Sequence, residues 1–212
     1  MNELIIVRHG EADHMVKGLT GGWSDVALTE LGREQARLAG IRLAKLIGDR
    51  PFDFYSSDLP RAAETAEIIG EFLPIKPVFV RELRELNNGA AANLTKAEAE
   101  KIVIPITQPT LDWTPYPGAE SWRRMSERVM SFMESIRDLD HPLTLLIVHA
   151  GSGNAVIHWW LRLGHGGQNT SFTFDPCSIS RLTINEWGER VMEKLNDTSH
   201  LRSLEGNPQY GS

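Results

Sequence analysis

Two histidines in this chain each follow an apolar run and lead into a glycine. Arg8-His9-Gly10-Glu11 closes the run at 4–7, and His149-Ala150-Gly151 closes the run at 143–148. An imidazole can act as a nucleophile or a proton carrier near neutral pH. A guanidinium beside it can grip an anion through a planar fork of donors. A second arginine, Arg61, follows Ser57-Asp58-Leu59-Pro60. Pro60 is tolerated in the first turn of a helix, and Asp58 or Ser57 can cap that turn. Arg61 then sits where free amides and the helix dipole already favour an anion. Two arginines and two histidines converging on one place suit a phosphate.

The elements that must position these residues alternate along the chain. Apolar, largely β-branched runs at 4–7 and 144–148 read as strands buried on both faces of an open sheet. Such sheets bind ligands beyond the carboxyl ends of their strands, which is where both histidines would emerge. Further strands are expected at 52–56 and 77–80, with a hairpin of strands at 180–184 and 190–195 turning near Trp187-Gly188. Helices are expected from near Thr29, around Arg61, after Gly118, and from about Ser152 to Leu163, ended by Gly164. In the helix after Gly118, Trp122, Met125, Val129, Phe132, Met133 and Ile136 share one face. The alternation predicts an α/β fold, three-layer α/β/α with a mostly parallel central sheet. Residues 87–118 break it: four prolines, Trp113 and Tyr116 leave room only for short helices near 95–102. Long irregular stretches in compact domains are commonly lids or binding loops.

These motifs carry a resemblance. The chain is similar to members of the histidine phosphatase superfamily, in its phosphoglycerate mutase-like branch. The matching pieces are Arg8-His9-Gly10-Glu11, Gly22-Trp23-Ser24-Asp25, Leu28-Thr29-Glu30-Leu31-Gly32 and Ser57-Asp58-Leu59-Pro60-Arg61-Ala62 with Glu64-Thr65-Ala66. Leu83-Arg84-Glu85 with Gly89, Gly118-Ala119-Glu120-Ser121 and Val148-His149-Ala150-Gly151 complete the ordered set. The resemblance implies a phosphoglycerate mutase-like domain over 1–212, with a substrate-selecting, lid-like insertion at about 87–118. It implies that His9 is the nucleophile, that His149 contacts the phosphoryl group as a donor, and that Glu85 is the proton donor and later the base. Nearby Glu82 is the rival carboxylate, and the spacing to Gly89 favours Glu85.

Charge gives the same roles a physical reason. A phosphomonoester dianion repels anionic nucleophiles, so a neutral imidazole is a sensible attacker. Arg8 and Arg61 would bind the phosphoryl oxygens by charge-assisted, forked hydrogen bonds and stabilise the transition state. An alkoxide leaving group needs a general acid. Arginines supply the positive charge, so no metal and no cofactor are expected. Substrate contacts are expected from Arg8, Arg61, His149, the loop containing Gly21 and Gly22, Asn88, His14 and His200. His200 lies in a tail segment resembling that of small phosphatases of the family. A phosphate-contacting side chain is expected to be lost, or replaced by His14 or Asn88, because the family often has Asn where this chain has Met15. Ala150 for the usual glycine, and Ala90-Ala91-Ala92-Asn93 for an aromatic-acidic-glycine sequence, are further departures. Glu120 and Ser121 read as mainly structural, and His141, His158 and His165 as non-catalytic.

Composition narrows the class. A chain of 212 residues suits one domain with a sizeable core, and a net charge of −6 argues against a nucleic-acid partner. No apolar run approaches membrane-spanning length, and the amino terminus shows no leader pattern, so no membrane association and a cytoplasmic location are expected. The single cysteine, Cys177, reads as a buried bystander. The chain lacks His-Glu-x-x-His and has no thiolate cluster, which sets a zinc hydrolase aside. The expected partner is a small phosphorylated metabolite, and a homodimer is an expected assembly because dimers are common in the family. Three readings stand: a metal-independent phosphatase, a bisphosphoglycerate-dependent mutase, and an anion-binding pseudoenzyme. Mutases of the family usually have longer chains and a basic insertion, so hydrolysis leads.

Overall fold

The computed structural model describes residues 1–164 and 170–204. Six strands form one sheet: β1 (Glu3–Arg8), β2 (Phe52–Ser57), β3 (Val78–Val80), β4 (Leu143–Val148), β5 (Ile179–Ile184) and β6 (Arg190–Asp197). Their order is β3-β2-β4-β1-β5-β6. The first four run parallel, and β5 and β6 pair antiparallel at one edge. The mixed α/β, mostly parallel fold is the one the alternation predicts.

The strand period of two divides the core. Ile5, Val7, Leu145 and Ile147 face one layer, with Ala36, Leu43, Ala62 and Ile69. These belong to α2 (Glu30–Ile47) and α3 (Pro60–Gly70). Leu4, Ile6, Leu146 and Val148 face the other, with Met125, Val129, Met133, Val156 and Trp160. Those come from α5 (Trp122–Ser135) and α6 (Ala150–Trp160). A sheet covered on both faces explains why β1 and β4 are continuous apolar runs rather than alternating ones.

Local chemistry sets the ends. Thr29 caps α2 by accepting from Gly32 N at 3.0 Å, and Ser121 caps α5 by accepting from Arg124 N at 3.3 Å. Three boundaries differ from expectation. Neither Asp58 nor Ser57 caps α3; Leu59 holds the cap position, Pro60 begins the helix, and Asp58 instead pairs with Arg84 at 2.7 Å. The helix α6 starts at Ala150 rather than Ser152, because His149 is its extended N-cap residue. It also ends at Trp160, before Gly164. Arg162 adopts a left-handed φ of 57°, and the amides of Arg162 and Leu163 bond back to the carbonyls of Trp159 and His158. That is a Schellman-type stop with arginine where glycine is usual.

The two remaining short helices are α1 (Asp13–Val16), just after the His9 segment, and α4 (Lys96–Glu100), opened by a Thr95–Glu98 capping box. The latter lies in the irregular 87–118 segment, whose ends meet: Ala90 N donates to Pro117 O and Glu120 N to Asn87 O. The segment is also stitched to the Gly-rich loop, with Thr20 N on Leu94 O and Asn93 N on Thr20 O. Among the described residues no helix is long and apolar enough to cross a membrane.

Candidate active site

The parallel pairing of β1 with β4 places Arg8 opposite Val148, so the next residues, His9 and His149, leave the sheet at one edge. Their ring centroids are 5.0 Å apart. Arg61 arrives from the first turn of α3 and is 1% exposed. Its Nε donates to His9 Nε2 at 3.3 Å, while Nη1 and Nη2 donate to the carbonyls of Ser24 and Gly22. Arg8 donates through Nη1 to Phe174 O at 2.6 Å, and its Nη2 lies 3.7 Å from Met15 Sδ.

His9 has one tautomer forced on it. Its Nδ1 lies 2.7 Å from Gly10 O. A carbonyl can only accept, so Nδ1 carries the proton and Nε2 presents a lone pair. Burial holds the His9 pKa well below the ordinary histidine value, and Arg61 and Arg8 push it the same way. His149 is depressed by the same burial and by the same arginines together with His9. His14 is lowered to about 4, first by burial and then by Arg61 and Arg8. Arg61 itself falls to about 10 through burial and stays charged at neutral pH. The site is therefore an array of neutral imidazoles beside two fixed cations.

A cavity of about 290 Å³ opens there. Arg8, His9, His14, Gly21, Gly22, Arg61, Glu85 and Asn88 line it, as the sequence leads one to expect. Glu85 is held from both sides: Oε1 accepts from Leu86 N at 2.8 Å and Oε2 from Gly151 N at 3.0 Å. The second bond ties the carboxylate to the first turn of α6, directly after His149. A larger cavity of about 570 Å³, lined by Phe52, Phe72, Ile75 and His141 among others, brings together no comparable set. Among the described residues, no group of three or more His, Cys, Asp or Glu side chains is arranged to hold a metal ion.

The family model for the histidine phosphatase superfamily (branch 1) matches residues 4–198. The chain belongs to the histidine phosphatase superfamily. It is 33% identical over 211 residues to the "probable phosphoglycerate mutase GpmB" of Escherichia coli, covering 95% of each chain. It is 30% identical over 214 residues to the "putative phosphoserine phosphatase 2" of Hydrogenobacter thermophilus, covering 96% of this chain and all of that one. Among solved structures, a mycobacterial glucosyl-3-phosphoglycerate phosphatase superposes with a TM-score of 0.77 at 24% identity, over 93% of this chain and 100% of that one. That likeness shows the shared fold.

Within this histidine phosphatase superfamily member, two expected contact residues do not line the cavity, although His149 lies against His9. His149 is fully buried and does not line the cavity; its Nε2 is 2.9 Å from Ser57 Oγ. His200 is also absent from the wall, because its Nε2 bonds to the Cys177 carbonyl at 3.1 Å and fastens the tail beneath the site. Cys177 is fully buried, and burial pushes its thiol pKa up. His141 and His158 stand away from the chemistry, bonded to Asp53 and to Thr170 O; His165 lies outside the described residues. Glu82 does not line the cavity, and Glu120 is occupied by Arg128 at 2.8 Å.

Sequence reasoning missed Leu86, Trp122 and Gly151 on the wall, and Arg128 behind it. Arg128 donates to the carbonyls of Glu82, Arg84 and Glu85, clamping the segment that carries Glu85 onto α5. Trp122 was visible as part of an apolar helical face, and its place at the first turn of α5 puts it at the cavity. No local signal identifies Arg128, because the carbonyls it binds lie more than forty residues away.

Proposed function

We propose that this protein is a phosphatase of small phosphomonoester metabolites that works through a phosphohistidine on His9 without a metal ion. The observation that carries the reading is the His9 tautomer. Nδ1–H is locked on Gly10 O, which leaves Nε2 unprotonated, its lone pair accepting from Arg61 Nε in a bond that the phosphoryl group would replace.

In the first step, His9 Nε2 forms a bond to phosphorus as the bond from phosphorus to the ester oxygen breaks. The departing alkoxide takes a proton from Glu85. Arg8 and Arg61 hold the three spectator oxygens, and fixed cations in a dry site stabilise the spread negative charge. In the second step, a water oxygen attacks the phosphohistidine, Glu85 accepts its proton, and Nε2 leaves. Phosphate departs and the enzyme is restored. His149, hydrogen-bonded to Ser57, supports the ring of His9 from within.

A relative named as a mutase raises the second reading, transfer of the phosphoryl group to another substrate oxygen instead of water. Hydrolysis is favoured because residues 87–118 carry two lysines and no arginine with which to hold a doubly phosphorylated cofactor. The test is hydrolysis of para-nitrophenyl phosphate by chelator-treated protein, with vanadate inhibition and a His9→Ala comparison. Vanadate-sensitive turnover that disappears with His9 is expected. Activity that survives His9→Ala, or that needs an added divalent metal, contradicts the proposal.

A further inference from the structure

We propose that the substrate is the phosphate ester of an uncharged, sugar-like alcohol, and that esters bearing a second anionic group are rejected. The inference rests on the phosphatase reading above and follows from the charges on the cavity wall. Among the described residues that line it, Arg8 and Arg61 are the only lysines or arginines. Both are needed by the phosphoryl dianion, and both already donate to backbone carbonyls. No cation is left for a carboxylate.

His14 supplies none either, since it is neutral at physiological pH. Among the described residues on the wall, the one other charged residue is Glu85, the proton donor of the proposed mechanism, which offers a carboxylate no cation to pair with. A carboxylate beside the scissile bond would be partly desolvated with no cation to pair it, which is costly.

The rest of the wall suits a neutral ring. Trp122 gives an aromatic face, Leu86 an aliphatic side chain, and Asn88 an amide that both donates and accepts. Trp122 packs against buried His158, with ring centroids 6.5 Å apart, which restrains its ring. Rings with apolar C–H faces and peripheral hydroxyls match that combination. The cavity is small for a ligand site, which fits a single ring better than a large conjugate.

The deciding experiment compares kcat/KM for glucose 6-phosphate, phosphoserine and 3-phosphoglycerate, in wild type and in Asn88→Lys. Para-nitrophenyl phosphate serves as the control for chemistry. The sugar ester is expected to exceed both carboxylate esters by at least about tenfold. The added lysine is expected to narrow that ratio by raising kcat/KM for the carboxylate esters themselves about tenfold, separately from any loss on the sugar ester that Asn88 contacts. Carboxylate esters turned over as well as or better than the sugar ester overturn the inference. So does an unchanged kcat/KM for the carboxylate esters in an Asn88→Lys protein that still hydrolyses para-nitrophenyl phosphate. If no ester is hydrolysed, para-nitrophenyl phosphate included, the phosphatase reading fails and this inference falls with it.

Discussion

In the proposed mechanism, the chemistry at His9 turns on which ring nitrogen keeps its proton. Gly10 O fixes that choice, and burial beside two guanidiniums keeps the ring neutral well below the usual histidine range. We therefore expect the His9 and His149 rings to stay neutral in the free protein at pH 6, read by histidine ring NMR against pH; rings that protonate between pH 6 and 7 would contradict this. For Glu85, held by two backbone amides, Glu85→Gln removes the proton carrier while keeping the shape. Its kcat on a poor leaving group should fall by roughly 10²–10⁴-fold, with a smaller loss on para-nitrophenyl phosphate, whose leaving group needs little protonation. Equal losses on both esters would argue that Glu85 serves position only. His9, His149 and Arg61 were legible in the sequence because each sits at a strand end or in a first helical turn, whereas Glu85, in an irregular stretch, was reached through the family resemblance. What was not legible is which side chains face the cavity. His149 and His200 belong to the right segments, yet their rings bond to Ser57 and to Cys177 O and do not line the cavity.

At the scale of elements, the site depends on α5 and α6 meeting the segment that carries Glu85. The Arg128 side chain makes three bonds to carbonyls of that segment and pairs with Glu120. Arg128→Ala should cost about 2 kcal/mol in chemical denaturation, since bonds to charged groups are the stronger ones. It should also lower kcat more than it raises KM, because Glu85 loses its support. Gly151 makes a separate test: a Cβ there would lie 2.1 Å from Glu85 Oε1. Gly151→Ala should therefore displace the carboxylate and lower kcat at least tenfold, near the low end for losing an acid–base group, with a midpoint of unfolding close to wild type. Wild-type kinetics in that variant would show that Glu85 need not sit where it does. Element type and order were readable from periodicity. Boundaries were less so: the start of α6 depends on His149 taking an extended conformation, and its end on Arg162 turning left-handed. Neither has a local sequence signature as plain as a glycine or a capping serine.

Across the whole molecule, two cores flank one sheet, and the site lies where the parallel strands end. The same burial that serves catalysis makes stability depend on pH. The His9, His14 and His149 rings have lowered folded-state pKa values, so the unfolded chain binds protons first as pH falls. Thermal midpoints should be flat above about pH 7, then decline as pH drops below the ordinary histidine value near 6.5, continuing towards pH 4 for His14. Inorganic phosphate or vanadate should raise the midpoint by mass action, and much less in Arg61→Ala. The layered architecture was legible because buried parallel strands and amphipathic helices leave different periods. The course of 87–118 was not, since its closure depends on backbone bonds to Thr20 and Pro117 that no composition reveals. The central claim is that His9 carries the phosphoryl group. Its most direct test is rapid acid-free quenching during turnover of a slow ester, followed by intact-mass and peptide mapping. The account predicts a phosphoryl adduct on the peptide containing His9, lost in His9→Ala and consumed as phosphate is released. Turnover with no adduct at any time, or an adduct confined to another residue, would contradict it.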